Sequence, residues 1–219
     1  MIGKYSKDGS IIEYYEAVTY QPPLADMLID NGFIVFAESA PGFPDRVIKI
    51  PEGAIDEDDS NRIIIDGLNT PSGVAIWDDE LYVAESESGI ITRISNNDER
   101  EEYCSVDDPG TITFDKQGNL IVIAGIIITS SSLGTTLYKI NPSGQKEILM
   151  DDGWFSYVTC DEDNNIFVSA GDSIFKISDN DVSVFVSGLL NPMGLAFDED
   201  GILYVADDRL NAVIKIEEI

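Results

Sequence analysis

The chain contains no histidine, and only 13 of its 219 residues are lysine or arginine. The first absence removes the commonest general base and metal ligand at neutral pH, so any chemistry must come from carboxylates, amides, hydroxyls or phenols. The shortage of basic residues, set against 41 Asp and Glu, gives a formal net charge of −28 and an isoelectric point of about 4.1. A surface this negative repels nucleic-acid phosphates and anionic lipid headgroups, so neither nucleic acid nor a membrane is expected as a partner. Cysteine is scarce as well. Cys104 and Cys160 fall in different repeats, on an outer and an inner strand, so no disulfide is expected between them and cysteine usage fixes no compartment. No apolar run approaches the length that crosses a bilayer, and Met1 leads into IGKYSKDGS rather than a signal-peptide core. As given, the chain reads as cytoplasmic, or as an extracellular mature form whose signal was removed. A helical 3.6-residue period is missing throughout.

What is present is enough apolar material to build a core, with 43% hydrophobic residues, and no linker that would divide residues 1–219 into two domains. The excess negative charge destabilises the compact state through self-repulsion. Added salt or calcium is therefore expected to raise the melting temperature; a flat response to both titrations would sink the idea.

Self-similarity organises the sequence. Five copies of one pattern can be read. The first is PLADMLIDNGFIVFAES, then PDRVIKI and NRIIIDG; the second is LNTPSGVAIWDDELYVAESESGIITRI, then EREEYCSV; the third is DDPGTITFDKQGNLIVIA, then TTLYKI and QKEILM. The fourth is GWFSYVTCDEDNNIFVSA, then SIFKI and VSVFVSG, and the fifth is LNPMGLAFDEDGILYVADDRLNAVIKI. Each contains short runs rich in Ile, Val, Tyr and Phe, bounded by Gly, Asn, Asp and Pro, which are strand lengths and turn signals. The acids of Asp115–Gly118, Asp161–Asn164 and Asp198–Gly201 recur at one position of the repeat, where turn chemistry explains them, with Gly or Asn taking the positive-φ site. They lack the twelve-residue ligand spacing of an EF-hand.

A repeat near 40 residues built only of short strands predicts an all-β fold, a propeller of five four-stranded blades, in which radial stacking buries both faces of each blade. The fifth copy ends after its third strand. GSIIEYYEA, residues 9–17, resembles the outer strands of other copies and is expected to supply the missing one, closing the ring.

The strings PSGVAIWDDELYVAE and PMGLAFDEDGILYVAD, each followed by ITRI or VIKI, resemble the repeats of the NHL and SMP-30/gluconolactonase kind of β-propeller over nearly the whole chain. That likeness implies fold more sharply than function, because such families include lactonases, phosphotriester hydrolases, lyases, sensors and protein-binding modules. In the SMP-30 type, calcium is held in the channel by Glu, Asn and Asp where the inner strands begin. The residue usually Asn is here Ala25, Ser72, Gly110, Ser156 or Met193, so residue-by-residue transfer does not support that metal site.

One position further on stand Asp26, Gly73, Thr111, Tyr157 and Gly194. In a propeller this column lies near the axis at the top-face mouth, where Asp26, Thr111 and Tyr157 line a pocket or simply fill a narrow channel. A carboxylate there needs water, a donor or a cation. Trp154 and Phe155, which replace an Asn-Pro found in other copies, either project into the same mouth or belong to the blade core. At the end of the second strand the column reads Glu38, Glu85, Ala124, Ala170 and Asp207. Asp26, Glu38, Glu85 and Asp207 are the candidate calcium ligands, being oxygen donors; alternatively, each acid of the second-strand column satisfies a repeat-level role within its own blade. The apolar connection at 125–136 is a candidate lid or docking surface, and the acidic run at 56–61 a solvated bottom-face loop.

With no histidine, no nucleophile-and-base pair and no transferable metal ligands, the sequence points to a module that binds a small molecule, sugar or peptide at the top face. The alternatives are a calcium-dependent lactonase or esterase, in which the ion would polarise a carbonyl and activate water, and a structural subunit of an assembly.

Overall fold

The computed structural model describes residues 2–5, 11–15, 24–39, 42, 44–52, 63–125, 134–179 and 181–216, with the backbone alone for 2–5, 11–15 and 24. Among them every regular element is a strand. β1 (Ile2–Tyr5) and β2 (Ile11–Tyr15) precede the five repeats. Blade one is β3 (Leu24–Asp30), β4 (Phe33–Glu38), β5 (Arg46–Pro51) and β6 (Ile63–Asp66); blade two is β7 (Pro71–Trp77), β8 (Glu80–Glu85), β9 (Ile90–Ile94) and β10 (Arg100–Ser105). Blade three is β11 (Pro109–Phe114), β12 (Leu120–Ala124), β13 (Thr135–Ile140) and β14 (Lys146–Gly153); blade four is β15 (Phe155–Cys160), β16 (Ile166–Ala170), β17 (Ser173–Ser178) and β18 (Asp181–Ser187). Blade five is β19 (Pro192–Phe197), β20 (Leu203–Asp207) and β21 (Ala212–Ile216). Each blade is a separate antiparallel sheet with its strands in sequence order, so the molecule is a five-bladed β-propeller.

The turns between first and second strands form for the reason the sequence suggests. In blade three the Asp115 carboxylate accepts the amides of Gln117 and Asn119, both at 2.9 Å, and Gly118 takes φ +77°. Asp161 does the same for Asp163 and Asn165, with Asn164 at φ +65°, and Asp198 for Asp200 and Ile202, with Gly201 at φ +76°. These carboxylates replace backbone partners that a tight turn leaves unsatisfied. Burial would raise the Asp115 carboxyl. The bonds from Asn119, the Lys139 ammonium at 3.0 Å and the Gln117 amide outweigh it and hold the group below its ordinary range.

Alternation along the second strand of each blade assigns its side chains to the two neighbouring blades. In β8, Leu81 and Val83 join Val35, Ala37 and Val47 of blade one, whereas Tyr82 and Ala84 join Ile112, Leu120 and Val122 of blade three. Tyr82 meets Tyr103 and Phe114 edge to face, at centroid distances of 5.1 and 4.7 Å. The same parity places Ile121 and Ile123 against blade four, and Phe167 against Leu195, Leu203 and Val205 of blade five. Where blades two and three meet at their inner strands the backbones nearly touch. A Cβ added to Gly73 would lie 2.3 Å from the Gly110 carbonyl oxygen, so only glycine fits.

Blades one and five differ from this pattern. Blade one buries Ile34, Phe36, Ile48 and Ile50 on the face turned away from blade two, yet its inner strand leaves Met27 and Ile29 exposed. Blade five exposes Met193, Ala196, Ala206 and Val213 on the face turned away from blade four. The expected closing strand is present at Ile11–Tyr15, but it pairs with Ile2–Tyr5 in a two-stranded antiparallel sheet, and blade five has three strands among the described residues. The ends of the proposed 9–17 strand lie outside the described residues, as do the acidic run at 56–61 and most of the apolar connection at 125–136.

Candidate functional site

The inner strands run side by side, so residues at their beginnings converge even though they are far apart in sequence. The Asp26 carboxylate, on β3 of blade one, accepts the Tyr157 hydroxyl from β15 of blade four at 2.9 Å. It also accepts the Met27 amide at 2.8 Å and the Val74 amide of blade two at 3.0 Å. Thr111 of blade three donates its hydroxyl to the Ser156 carbonyl, beside Tyr157, at 3.3 Å. Three of the five column positions thus lie at one level of the propeller, held by donors from blades one, two, three and four.

Burial at this level governs the ionisation of the pair. Desolvation raises the Asp26 carboxyl to about 6 against the opposing pull of the Val74, Met27 and Tyr157 bonds. Tyr157 is pushed well above the ordinary phenol range by its burial and by the negative charge of Asp26. The phenol therefore stays protonated and acts as donor to the carboxylate.

On the side of this bridge towards the far ends of the inner strands lies a cavity of about 720 Å³. All five inner strands line it. Met27 and Ile29 come from blade one, Val74 and Trp77 from blade two, Phe114 from blade three, Tyr157 and Thr159 from blade four, and Ala196 and Phe197 from blade five. The lining is chiefly apolar, and Trp77 and Phe114 stack at 5.7 Å within it. Charged groups appear where the strands run out into turns, at Glu52, Asp115 and Lys116. A cavity of this size, mostly apolar with few polar groups, has the character of a small-molecule site.

Of the residues singled out at the mouth, Asp26, Thr111 and Tyr157 gather as described, Trp154 stands 60% exposed, and Phe155 is buried in the cluster between blades three and four. The sequence expectation missed the opposite end of the inner strands. Its signal was available. The last inner-strand position reads Trp77, Phe114 and Phe197 in three copies, an aromatic column just before the acidic turn.

The second-strand acids are each engaged within their own blade. Glu85 accepts the Asn69 amide at 2.6 Å and side-chain bonds from Asn69 and Thr92. Asp207 accepts the amides of Leu190, Asn191 and Leu210, and these bonds outweigh the cost of its burial to lower its carboxyl below the ordinary range. Glu38 pairs with Arg46 at 2.7 Å. In blades two and five, then, the acid anchors the loop that feeds the inner strand. Among the described residues no three acids or cysteines form a group able to hold a metal ion. Asp26, Glu38, Glu85 and Asp207 belong to no such group, and each carboxylate accepts hydrogen bonds from protein donors around it. Cys104 and Cys160 are free thiols, raised by burial to about 11 and about 12. That places them away from nucleophilic reactivity.

No known family model matches the chain, and no curated protein matches it in sequence. Solved structures do match in fold. A catalytically inactive virginiamycin B lyase from Staphylococcus aureus, bound to quinupristin, is 19% identical with a TM-score of 0.68, the match covering 99% of this chain and 73% of that one. A putative gluconolactonase is 17% identical with a TM-score of 0.66, over 93% of this chain and 76% of the other. A chain of the nidogen/laminin complex is 14% identical with a TM-score of 0.70, over 89% and 75%. At these identities the likeness shows the propeller fold alone.

Proposed function

We propose that this chain is a ligand-binding propeller whose site is the axial cavity closed at one end by the Asp26–Tyr157 bridge. The observation that carries the reading is that cavity, about 720 Å³ and lined from all five blades. It favours the side of the bridge away from the mouth expected from sequence. Met27 and Ile29 of blade one and Ala196 of blade five line the cavity and are exposed, so apolar wall is available to a ligand there. Burial of such a wall by a ligand supplies affinity through apolar surface removed from water.

Binding is preferred to catalysis on the chemistry of the lining. The fold neighbours include a lyase whose inactive form carries a histidine-to-alanine substitution, and this chain has no histidine. A calcium-assisted hydrolase would need a donor set that Glu38, Glu85 and Asp207 do not offer, since each already serves its own blade. Ligand-observed NMR against uncharged, cationic and anionic small molecules would test the reading, with Ala196→Trp as control. That substitution fills the cavity from an exposed position. Hits lost in Ala196→Trp support the cavity; hits bound equally by both proteins refute it.

A further inference from the structure

Resting on that reading, we infer that the cavity takes a flat, uncharged or cationic apolar molecule bearing a hydrogen-bond donor, and that this donor is received by the Tyr157 hydroxyl oxygen. Tyr157 lines the cavity and commits its own proton to Asp26 at 2.9 Å. Its phenol oxygen is left with accepting capacity only. The orientation is fixed from behind, because Asp26 is itself held by the Met27 and Val74 amides. Donation to a carboxylate also makes a phenol oxygen a better acceptor, by the mutual polarisation of chained hydrogen bonds.

The rest of the lining sets the body of the ligand. Met27, Ile29, Trp77, Phe114 and Phe197 offer thioether, aliphatic and aromatic surface, against which a planar ring system stacks with least loss of fit. Anions are disfavoured twice, by the carboxylate behind Tyr157 and by the net charge of −28 on the whole chain. The other polar groups of the lining, Thr113, Thr159, Glu52, Asp115 and Lys116, stand further along the strands or in the turns beyond them, so the acceptor nearest the Asp26–Tyr157 bridge is the phenol oxygen.

Isothermal titration with 2-naphthol and with 2-methoxynaphthalene separates donor from body, since the two differ only by methylation of the hydroxyl. Wild-type protein is expected to prefer 2-naphthol by about tenfold, the usual scale for one buried hydrogen bond. Tyr157→Phe should bring that ratio close to one while leaving 2-methoxynaphthalene affinity within about twofold, and Ala196→Trp should weaken both ligands by about tenfold or more. Equal binding of the two compounds by wild type, both lost in Ala196→Trp, overturns the donor inference and leaves the cavity reading intact. Binding that Ala196→Trp does not alter, or no binding of either compound, overturns both. Should Tyr157→Phe fail to fold by circular dichroism, the wild-type ratio decides alone.

Discussion

Blades two and five are written in nearly the same letters and end their second strands in LYVAE and LYVAD, yet they bury different amounts of the same surface. In blade two, Ala75, Tyr82, Ala84 and Ile91 are 5%, 4%, 0% and 0% exposed and form one cluster with blade three. Their counterparts by strand register are Ala196, Tyr204, Ala206 and Val213. Of these Ala196 and Ala206 are exposed, Tyr204 is half-buried and Val213 is 58% exposed. The opposite faces match: Leu81 and Val83 are buried against blade one as Leu203 and Val205 are against blade four. The repeat therefore encodes both faces of a blade, and a face becomes core only when a neighbour arrives to cover it.

The sharpest way to break this equivalence is to place a charge at the same repeat position in each blade. Ala84→Asp would bury an unpaired carboxylate and is expected to cost more than about 4 kcal/mol, enough to abolish folding. Ala206→Asp should stay within about 0.5 kcal/mol of wild type. Chemical denaturation of the two variants measures the difference, and a tolerated Ala84→Asp would contradict the assignment of that face as core. Aromatic truncation gives a smaller contrast. Tyr82→Ala removes two ring contacts from a closed cluster and should cost about 3–5 kcal/mol, whereas Tyr204→Ala should cost about 1 kcal/mol or less. Equal losses would mean that the open face of blade five is covered in solution.

The Asp26–Tyr157 bridge, which joins blades one and four, has its own signature. Because burial raises Asp26 from 3.8 to about 6, the folded state binds a proton more readily than the unfolded chain. Wild-type stability relative to Asp26→Asn is expected to rise as pH falls from about 7 to about 4.5, by on the order of 2 kcal/mol, and to be lost again above the folded pKa. A constant difference across that range would show that the carboxyl titrates normally. The smallest effect concerns the whole surface. Sodium chloride should raise the melting temperature by a few degrees through screening of the net negative charge, and more in wild type than in a variant with several exposed acids neutralised.

Much of the fold was legible because each strand and turn is decided by residues close together. The alternation of LYVAE, the Asp-to-Gly turns and the return of the pattern near every 40 residues are local facts, and the structure realises them strand by strand. The expected closure of the ring by the N-terminal strand is not seen among the described residues, for a related reason. GSIIEYYEA has the composition of an outer strand, but composition does not choose a partner, and Ile11–Tyr15 finds one in Ile2–Tyr5. The site was legible only in part. Asp26 and Tyr157 stood out as non-glycine residues of one column, but a bond between them across 131 positions of sequence is not written in either repeat. Glu38, Glu85 and Asp207 looked like a converging acidic set, but Glu85 and Asp207 bond the loops that feed their inner strands and Glu38 pairs with Arg46.

By itself, then, the sequence determined the blade: its strand order, its acidic turns, and which residues lie on each of its two faces, since period-two alternation and turn chemistry act over a few bonds. Only the tertiary structure decided which of those faces meets another, which acids are satisfied at home, and that a cavity lies beneath the Asp26–Tyr157 bridge. Those outcomes depend on how five nearly equivalent blades are set around an axis, and that arrangement brings together residues whose sequence neighbours carry no information about one another.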